Sequence, residues 1–283
     1  MSPDSFYKTE PVTEHIDAIR SRTGEIMYLL KGTDRAVLID TCLGVDGLKQ
    51  TVRELTELPI TVILTHGHVD HAMGAPLFDD VYMNSVDNGL YRAHSPLAVR
   101  TGYIEANLGF EPGSLNGISF VEPAEPDFKE LNDGMIFDLG GLHAEVYALP
   151  GHTRGMMIVL IPEERILVTG DAANNSLFLF DEYSLSVEEY RENVMHLAER
   201  LKGRYDRCFM MHHDMEASGM LLQNMIGVCD DIISGNVDDV PFDFMGRGYF
   251  IAKKVGDAMK RTDGGEGNII YSKNKIFRKP AAE

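Results

Sequence analysis

The sequence predicts an α/β fold built in layers, and three observations carry that expectation. Short apolar runs alternate with segments of helical spacing, as in strand–helix–strand units. Several of those runs end in an acid or a histidine: Asp40 after "RAVLI", His66 after "TVILT", Asp171 after "RILVTG" and His212 after "CFMM", with His152 following "VYALPG". Sites gather on the loops that leave strand ends in such folds, so polar groups delivered there by separate strands suggest one assembled centre. The 283 residues can also bury a sizeable core.

Each element has its own justification. "EIMYLLKG" and "RAVLIDT" read as strands split by the turn "GTDR". "GVDGLKQTVREL" places Val45, Leu48, Val52 and Leu55 at helical spacing. "LPITVILTH" is unbroken in its apolar content, as expected of a strand covered on both faces. Between residues 87 and 133 the pattern loosens into short helical fragments, Gly, Pro and Asn, which predicts a covering insertion over a functional region. Strand signals resume in "GMIFDLGGLHAEVYALPGHT", "GMMIVLIPEERILVTGD" and "YDRCFMMHHD". A helix over "SVEEYRENVMHLAERLKG" has Ser186 as its cap, Glu189 three residues on and Gly203 at its close. A second helix fits "GMLLQNMIGVCDDIISG"; "GYFIAKK" is strand-like, and "NIIYSKNKIF" reads as a closing hairpin turning at Lys-Asn, within a C-terminal hairpin region of about 246–283. The expected organisation is a single domain over 1–283.

Composition narrows the function. The formal net charge of -18, from 44 acidic against 26 basic residues, argues against a nucleic-acid partner. The start "MSPDSFYKTEPVTEH" lacks the basic and apolar regions of a signal peptide, and no apolar run is long enough to span a membrane, so a cytoplasmic protein without a membrane partner is expected. Cys42, Cys208 and Cys229 are widely spaced and read as buried, reduced thiols. No GxSxG occurs, and no base neighbours the cysteines, so a serine or cysteine nucleophile finds no support.

The densest chemistry is "TVILTHGHVDHAMGAP", where His66, His68, Asp70 and His71 fall within six positions behind a β-branched run. Gly67 reads as the flexible corner that lets two rings point one way. Burying four such groups with nothing to satisfy them would cost about 1–3 kcal/mol each. Imidazole and carboxylate are ligands for zinc and other first-row divalent ions, and adding His152, Asp171 and His212 makes seven donors, enough for two ions. A His-rich surface loop is the bland alternative.

"THGHVDH" carries the HxHxDH signature, and with it the chain resembles the metallo-β-lactamase-fold hydrolases, in their glyoxalase II-like and lactonase-like branch. "PGHTRG" and "LVTGD" resemble the later histidine and bridging-aspartate motifs, and "LIDTCLG" resembles LIDTG with Cys42 where a glycine is common. The likeness runs from about Gly24 to Gly235. It implies a four-layer αβ/βα sandwich. It implies that His66, His68 and His152 hold one metal and Asp70, His71 and His212 the other, with Asp171 bridging and Asp40 orienting a ligand from behind; His213 is the alternative to His212. Zinc is the expected metal, with iron and manganese also open. Two such ions would turn a water between them into an attacking hydroxide, which Asp70 would steer while accepting a proton. The resemblance also leaves a homodimer open.

Outside the motif, Phe178, Phe180 and Tyr183 in "NNSLFLFDEYSLS" and His94 in the insertion are candidates for a small-molecule substrate pocket. His143 and His196 read as structural. The reaction implied is hydrolysis of a small ester-like bond, a thioester first. Glyoxalase II-like members bind glutathione through a basic C-terminal helical region, which "YFIAKKVGDAMKRTDGG" does not match. Lactonases have a tyrosine close after the bridging aspartate; here Ala172, Ala173 and Asn174 stand there. Lactones and other carboxylic or phosphoric esters stay open as substrates. A redox reading of another class, an iron-dependent sulfur dioxygenase, stays open too. Protein purified without added ions should carry about two divalent ions per chain, as expected of a paired site; metal analysis returning a value near zero overturns the dinuclear reading.

Overall fold

The structure, a computed structural model, describes residues 5–113, 115 and 117–279. It divides into two compact units, through Glu145 and from Val146.

The first unit begins with β1 (Tyr7–Pro11), β2 (Ile16–Ser21), β3 (Ile26–Lys31) and β4 (Ala36–Ile39). Then come α1 (Leu48–Leu55), β5 (Ile60–Ile63), α2 (Val69–Ala72), β6 (Val81–Met83), α3 (Asn88–His94), α4 (Leu97–Leu108) and β7 (Lys129–Glu130). The seven strands form one sheet in sequence order. Pairing is antiparallel from β1 to β4 and parallel from β4 to β7. The unbroken apolar run of "ITVI" is matched by burial of Thr61, Val62 and Ile63, as a two-faced parallel strand requires. The strands β1 and β2 precede the region that the sequence pattern marked. Helix α1 starts at Leu48 and not Val45: Gly47 adopts φ 100°, a left-handed geometry that interrupts the helix, and Val45 bridges to Phe120 instead.

The insertion carries the helices α3 and α4. Arg100, 1% exposed, donates to the carbonyls of Leu43, Gly44 and Val121 at 2.8, 2.7 and 2.7 Å and lies over the Phe120 ring at 4.8 Å. One guanidinium therefore pins α4 to the loop after β4. The strand β8 (Ile136–Asp138) pairs antiparallel with β9 (His143–Ala148), within which the units divide.

The second unit continues with β10 (Met157–Ile161), β11 (Ile166–Val168), β12 (Leu177–Leu179), α5 (Val187–Arg200), β13 (Arg207–Phe209), β14 (Glu216–Ser218), α6 (Leu221–Ser234), β15 (Val240–Phe244), β16 (Arg247–Ile251) and β17 (Ile269–Tyr271). A sheet runs in the order β14-β13-β11-β10-β9-β8, and a smaller one in the order β12-β17-β16-β15. The apolar faces of α5 and α6 fill the core of this unit with Tyr190, Val194, Leu222, Met225 and Val228. The tail corrects one expectation. Its hairpin is β15–β16, turning at Met245-Gly246, whereas "NIIYSKNKIF" is a single strand followed by a 3-10 turn over Lys273–Lys275. The strand's edges explain it: β17 pairs with β12 on one side and β16 on the other, so no position remains for a returning partner.

The helix α5 has the reciprocal cap that its sequence signals. The Ser186 hydroxyl accepts from the Glu189 N–H, and the Glu189 carboxylate accepts from the Ser186 N–H. Ser186→Ala removes one half of this exchange and should lower stability by about 1 kcal/mol. Urea unfolding of the variant checks it; an unchanged midpoint would deny the cap any stabilising effect.

Candidate metal centre

In the first unit the donors are set by strand register. The strands β4 and β5 run parallel with Ile39 opposite Ile63, so Asp40 and the Thr65–His66 pair leave the sheet at the same edge. Asp40 is 1% exposed, and its carboxylate accepts from the Thr65 N–H, the Thr65 hydroxyl and His71 Nδ1, each at 2.7 Å. The Thr65 hydroxyl hydrogen thus points to Asp40, and the contact of 3.0 Å between His66 Nδ1 and Thr65 Oγ1 is donated by the ring. His66 and His71 therefore both carry their hydrogen on Nδ1 and present Nε2 to a metal. Candidate ligand atoms of Asp40, His66 and His71 lie within 4.8 Å of one another.

His68 caps α2 in extended conformation, its ring 4.8 Å from that of His66. The short helix then delivers Asp70 and His71, with Asp70 Oδ2 3.7 Å from His71 Nε2. The reason for Gly67 differs from the flexible corner that the sequence suggests. Its φ lies outside the left-handed region, but a Cβ there would meet the Asp87 carbonyl at 2.9 Å and the Tyr91 nitrogen at 3.0 Å. Close backbone approach selects glycine. His94 stacks on His68 at 5.2 Å and accepts the Val69 N–H at 3.1 Å, so this insertion residue braces the start of α2.

The second unit repeats the device. The strands β11 and β13 are parallel with Val168 opposite Phe209, and Asp171 and His212 each lie three residues further on. Asp171 Oδ2 is 3.4 Å from His212 Nε2 and 3.6 Å from His152 Nε2, so one carboxylate oxygen faces both rings. Asn174 Nδ2 donates to the other oxygen at 3.2 Å. His152 Nδ1 donates to the Phe178 carbonyl at 3.1 Å, which again turns Nε2 outward. His213, in contrast, has left-handed φ of 58° and sets Nε2 3.1 Å from Ser176 Oγ. Burial and the adjacent His212 imidazole push its pKa down.

Phe178 and Phe180 open an aromatic face. Register puts Phe178 and Ile251 both beside Ile270, and Phe242 opposite Tyr249, on the side of the small sheet away from Leu177 and Leu179. Ring centroids are 4.7 Å apart for Phe178–Phe180, 5.3 Å for Phe178–Phe244 and 4.0 Å for the stack of Phe180 on Tyr249. Tyr183 stands in a turn where its N–H donates to Asp181. Burial, Glu182 and Asp181 push its phenol up. His196 is exposed on α5.

All three cysteines are free and buried. Burial and Glu25 raise the Cys42 thiol far above its ordinary value, and burial and Glu266 bring Cys208 to about 12. Sequence reasoning also missed Thr65, Asn174 and a phenol on α4, Tyr103, which touch the donors, Tyr103 reaching Asp70 at 3.0 Å, and Phe242, Phe244 and Tyr249 of the aromatic face. Alternation in "VPFDFMGRGYF" around Met-Gly was a legible hairpin signal; Tyr103 had none.

The donor set fits divalent metal ions: imidazoles beside carboxylates, with His66, His71 and His152 each oriented by a partner on Nδ1. The fold and these groups define a class. The family profile described as "Metallo-beta-lactamase superfamily" matches residues 26–207, and the chain belongs to that family, as a hydrolase of metallo-β-lactamase fold. Among its relatives is a chicken (Gallus gallus) protein named acyl-coenzyme A thioesterase MBLAC2, 27% identical over 260 residues, covering 82% of this chain and 92% of that one. Solved structures bear on the fold. Metallo-beta-lactamase FIM-1 from Pseudomonas aeruginosa, in its mono-zinc form, superposes with TM-score 0.58 at 16% identity over 81% of this chain and 97% of that one. The sec-alkylsulfatase Pisa1 from Pseudomonas sp. does so with TM-score 0.61 at 16% identity over 81% of this chain and 43% of that longer one. Among the described residues, no helix is long and apolar enough to cross a membrane.

Asp40→Asn keeps the volume but replaces an acceptor-only group with one that cannot satisfy all three donors. Metal affinity should fall about 10–100-fold, the usual effect of losing an outer partner. Isothermal titration of the metal-free protein with zinc checks it, and an unchanged affinity would remove Asp40 from the site.

Proposed function

We propose that the chain is a dinuclear metal-dependent hydrolase of acyl thioesters with an apolar acyl group. His66, His68 and His152 would hold one divalent ion, Asp70, His71 and His212 the other, and Asp171 both; zinc is the metal that this donor set suits first. When bound, such ions make a water acidic enough to attack at neutral pH and polarise an acyl oxygen. Asp70 would hold and accept the proton of that water. The substrate is a small molecule in the cytoplasm, with neither nucleic acid nor membrane as partner and 1–283 acting as one domain; a homodimer is the assembly that the family likeness suggests.

One observation carries the substrate class. Phe178 does two things: its carbonyl orients His152, and its ring begins a face that continues through Phe180, Phe242, Phe244 and Tyr249. An acyl chain laid along that face would have its reacting carbon near a metal-binding ring. The likeness to a protein named as an acyl-coenzyme A thioesterase supports the same class.

A panel of thioester, lactone, β-lactam and phosphodiester substrates, with Asp70→Ala as control, tests the reading. Thioesters should be cleaved fastest, and Asp70→Ala should abolish the activity; oxygen consumption by an iron-loaded form would favour the redox reading instead. Phe244→Ala should raise KM for long acyl chains about tenfold and leave short ones nearly unchanged, since Phe244 is exposed and covering its ring with an acyl chain would contribute on the order of 1–2 kcal/mol. Equal effects on short and long chains would remove the aromatic face from the substrate path.

A further inference from the structure

Asp70 is held by a residue that its own motif does not contain. Tyr103 on α4 places its hydroxyl 3.0 Å from Asp70 Oδ2 and 2.9 Å from Glu25 Oε1. Glu25 is 2% exposed, at the start of β3. Its other oxygen accepts from the Ser21 and Thr23 hydroxyls and faces the Cys42 thiol at 3.5 Å. We propose that Tyr103 is a positioning residue for Asp70, with Glu25 as its anchor. The inference rests on the reading of Asp70 as a metal ligand.

Three features distinguish this from ordinary packing. The helix that delivers Tyr103 is fixed one turn earlier by the three carbonyl bonds of Arg100, so the phenol is presented from a rigid support. A phenol has one hydrogen and here lies within donating distance of two carboxylates, so that hydrogen is shared between Asp70 and Glu25 and ties the two acids to one point. Finally, the anchor uses the position where the sequence departs from LIDTG. Cys42 adopts φ 56°, a conformation that glycine takes without strain, and its sulfur reaches Glu25. A glycine would relieve the backbone and remove that contact. The network thus secures Asp70 Oδ2, the oxygen that also faces His71 Nε2, and limits how the carboxylate can turn toward an ion and a water.

The test uses the full chain, stripped of metal and titrated with cobalt(II) chloride while the visible absorption bands of the bound ion are followed. Tyr103→Phe removes only the hydroxyl. One of the cobalt-binding steps should weaken about tenfold, the size expected for loss of an outer partner. Its visible band should shift, and kcat should fall about tenfold with KM within twofold. A folded Tyr103→Phe protein whose cobalt titration and spectrum match the wild type overturns the proposal, whatever its melting temperature. If Tyr103→Phe does not fold, Glu25→Gln carries the test from the far end: the same step should weaken with the same spectral shift, and a wild-type titration overturns the proposal. A wild-type chain that binds no cobalt instead overturns the metal reading, and the inference falls with it. One that binds cobalt identically with and without the Tyr103 hydroxyl overturns the inference alone.

Discussion

In the first unit, the orientation of His66 and His71 depends on where the Asp40 carboxylate sits. It is buried, and its three donors are the Thr65 N–H, the Thr65 hydroxyl and His71 Nδ1. Hydrogen bonds to a charged group stabilise by about 1.5–3 kcal/mol each, enough to hold a carboxylate that would otherwise be too costly to bury. Through Thr65 the same carboxylate determines the tautomer of His66, and directly it determines that of His71. It accepts a strained backbone to do so, with φ 64°, which Asp tolerates better than most residues.

Parallel register is the wider constraint behind that interaction. Adjacent parallel strands end at the same edge, so residues a few positions beyond the paired ones meet there. Val168 opposite Phe209 brings Asp171 to His212, as Ile39 opposite Ile63 brings Asp40 to Thr65. The side chains that follow are braced by neighbours with no metal-binding chemistry of their own: Asn174 on Asp171, the Phe178 carbonyl on His152 and Tyr103 on Asp70. A ligand held on two sides loses less freedom when an ion arrives, which is why such bracing affects affinity out of proportion to its own strength.

Much of this was legible in the chain. The apolar runs of β3, β4, β5, β10 and β11 stood out because burial on both faces demands unbroken hydrophobic content, and α5 because its capping box is a local exchange between Ser186 and Glu189. The opening strands β1 and β2 did not, since "YKTEP" leaves most of its residues outside the core. The tail hairpin was legible in the alternation that flanks its true turn at Met-Gly, but Lys-Asn further on imitates a turn and drew the reading there. The order within the insertion was hidden because it hangs on one arginine whose acceptors are backbone carbonyls, which have no sequence signature.

By itself the sequence determined which side chains could bind metal and that each follows a strand, because ligand chemistry and apolar runs are properties of single residues and their neighbours. It also determined the family, since "THGHVDH" is contiguous. Only the tertiary structure decided which nitrogen each histidine presents, why Gly67 is glycine, and that Tyr103 meets Asp70. Those depend on groups 20 to 78 residues apart, as from Gly67 to Asp87 and from Glu25 to Tyr103, brought together by strand pairing and helix anchoring that no local pattern encodes.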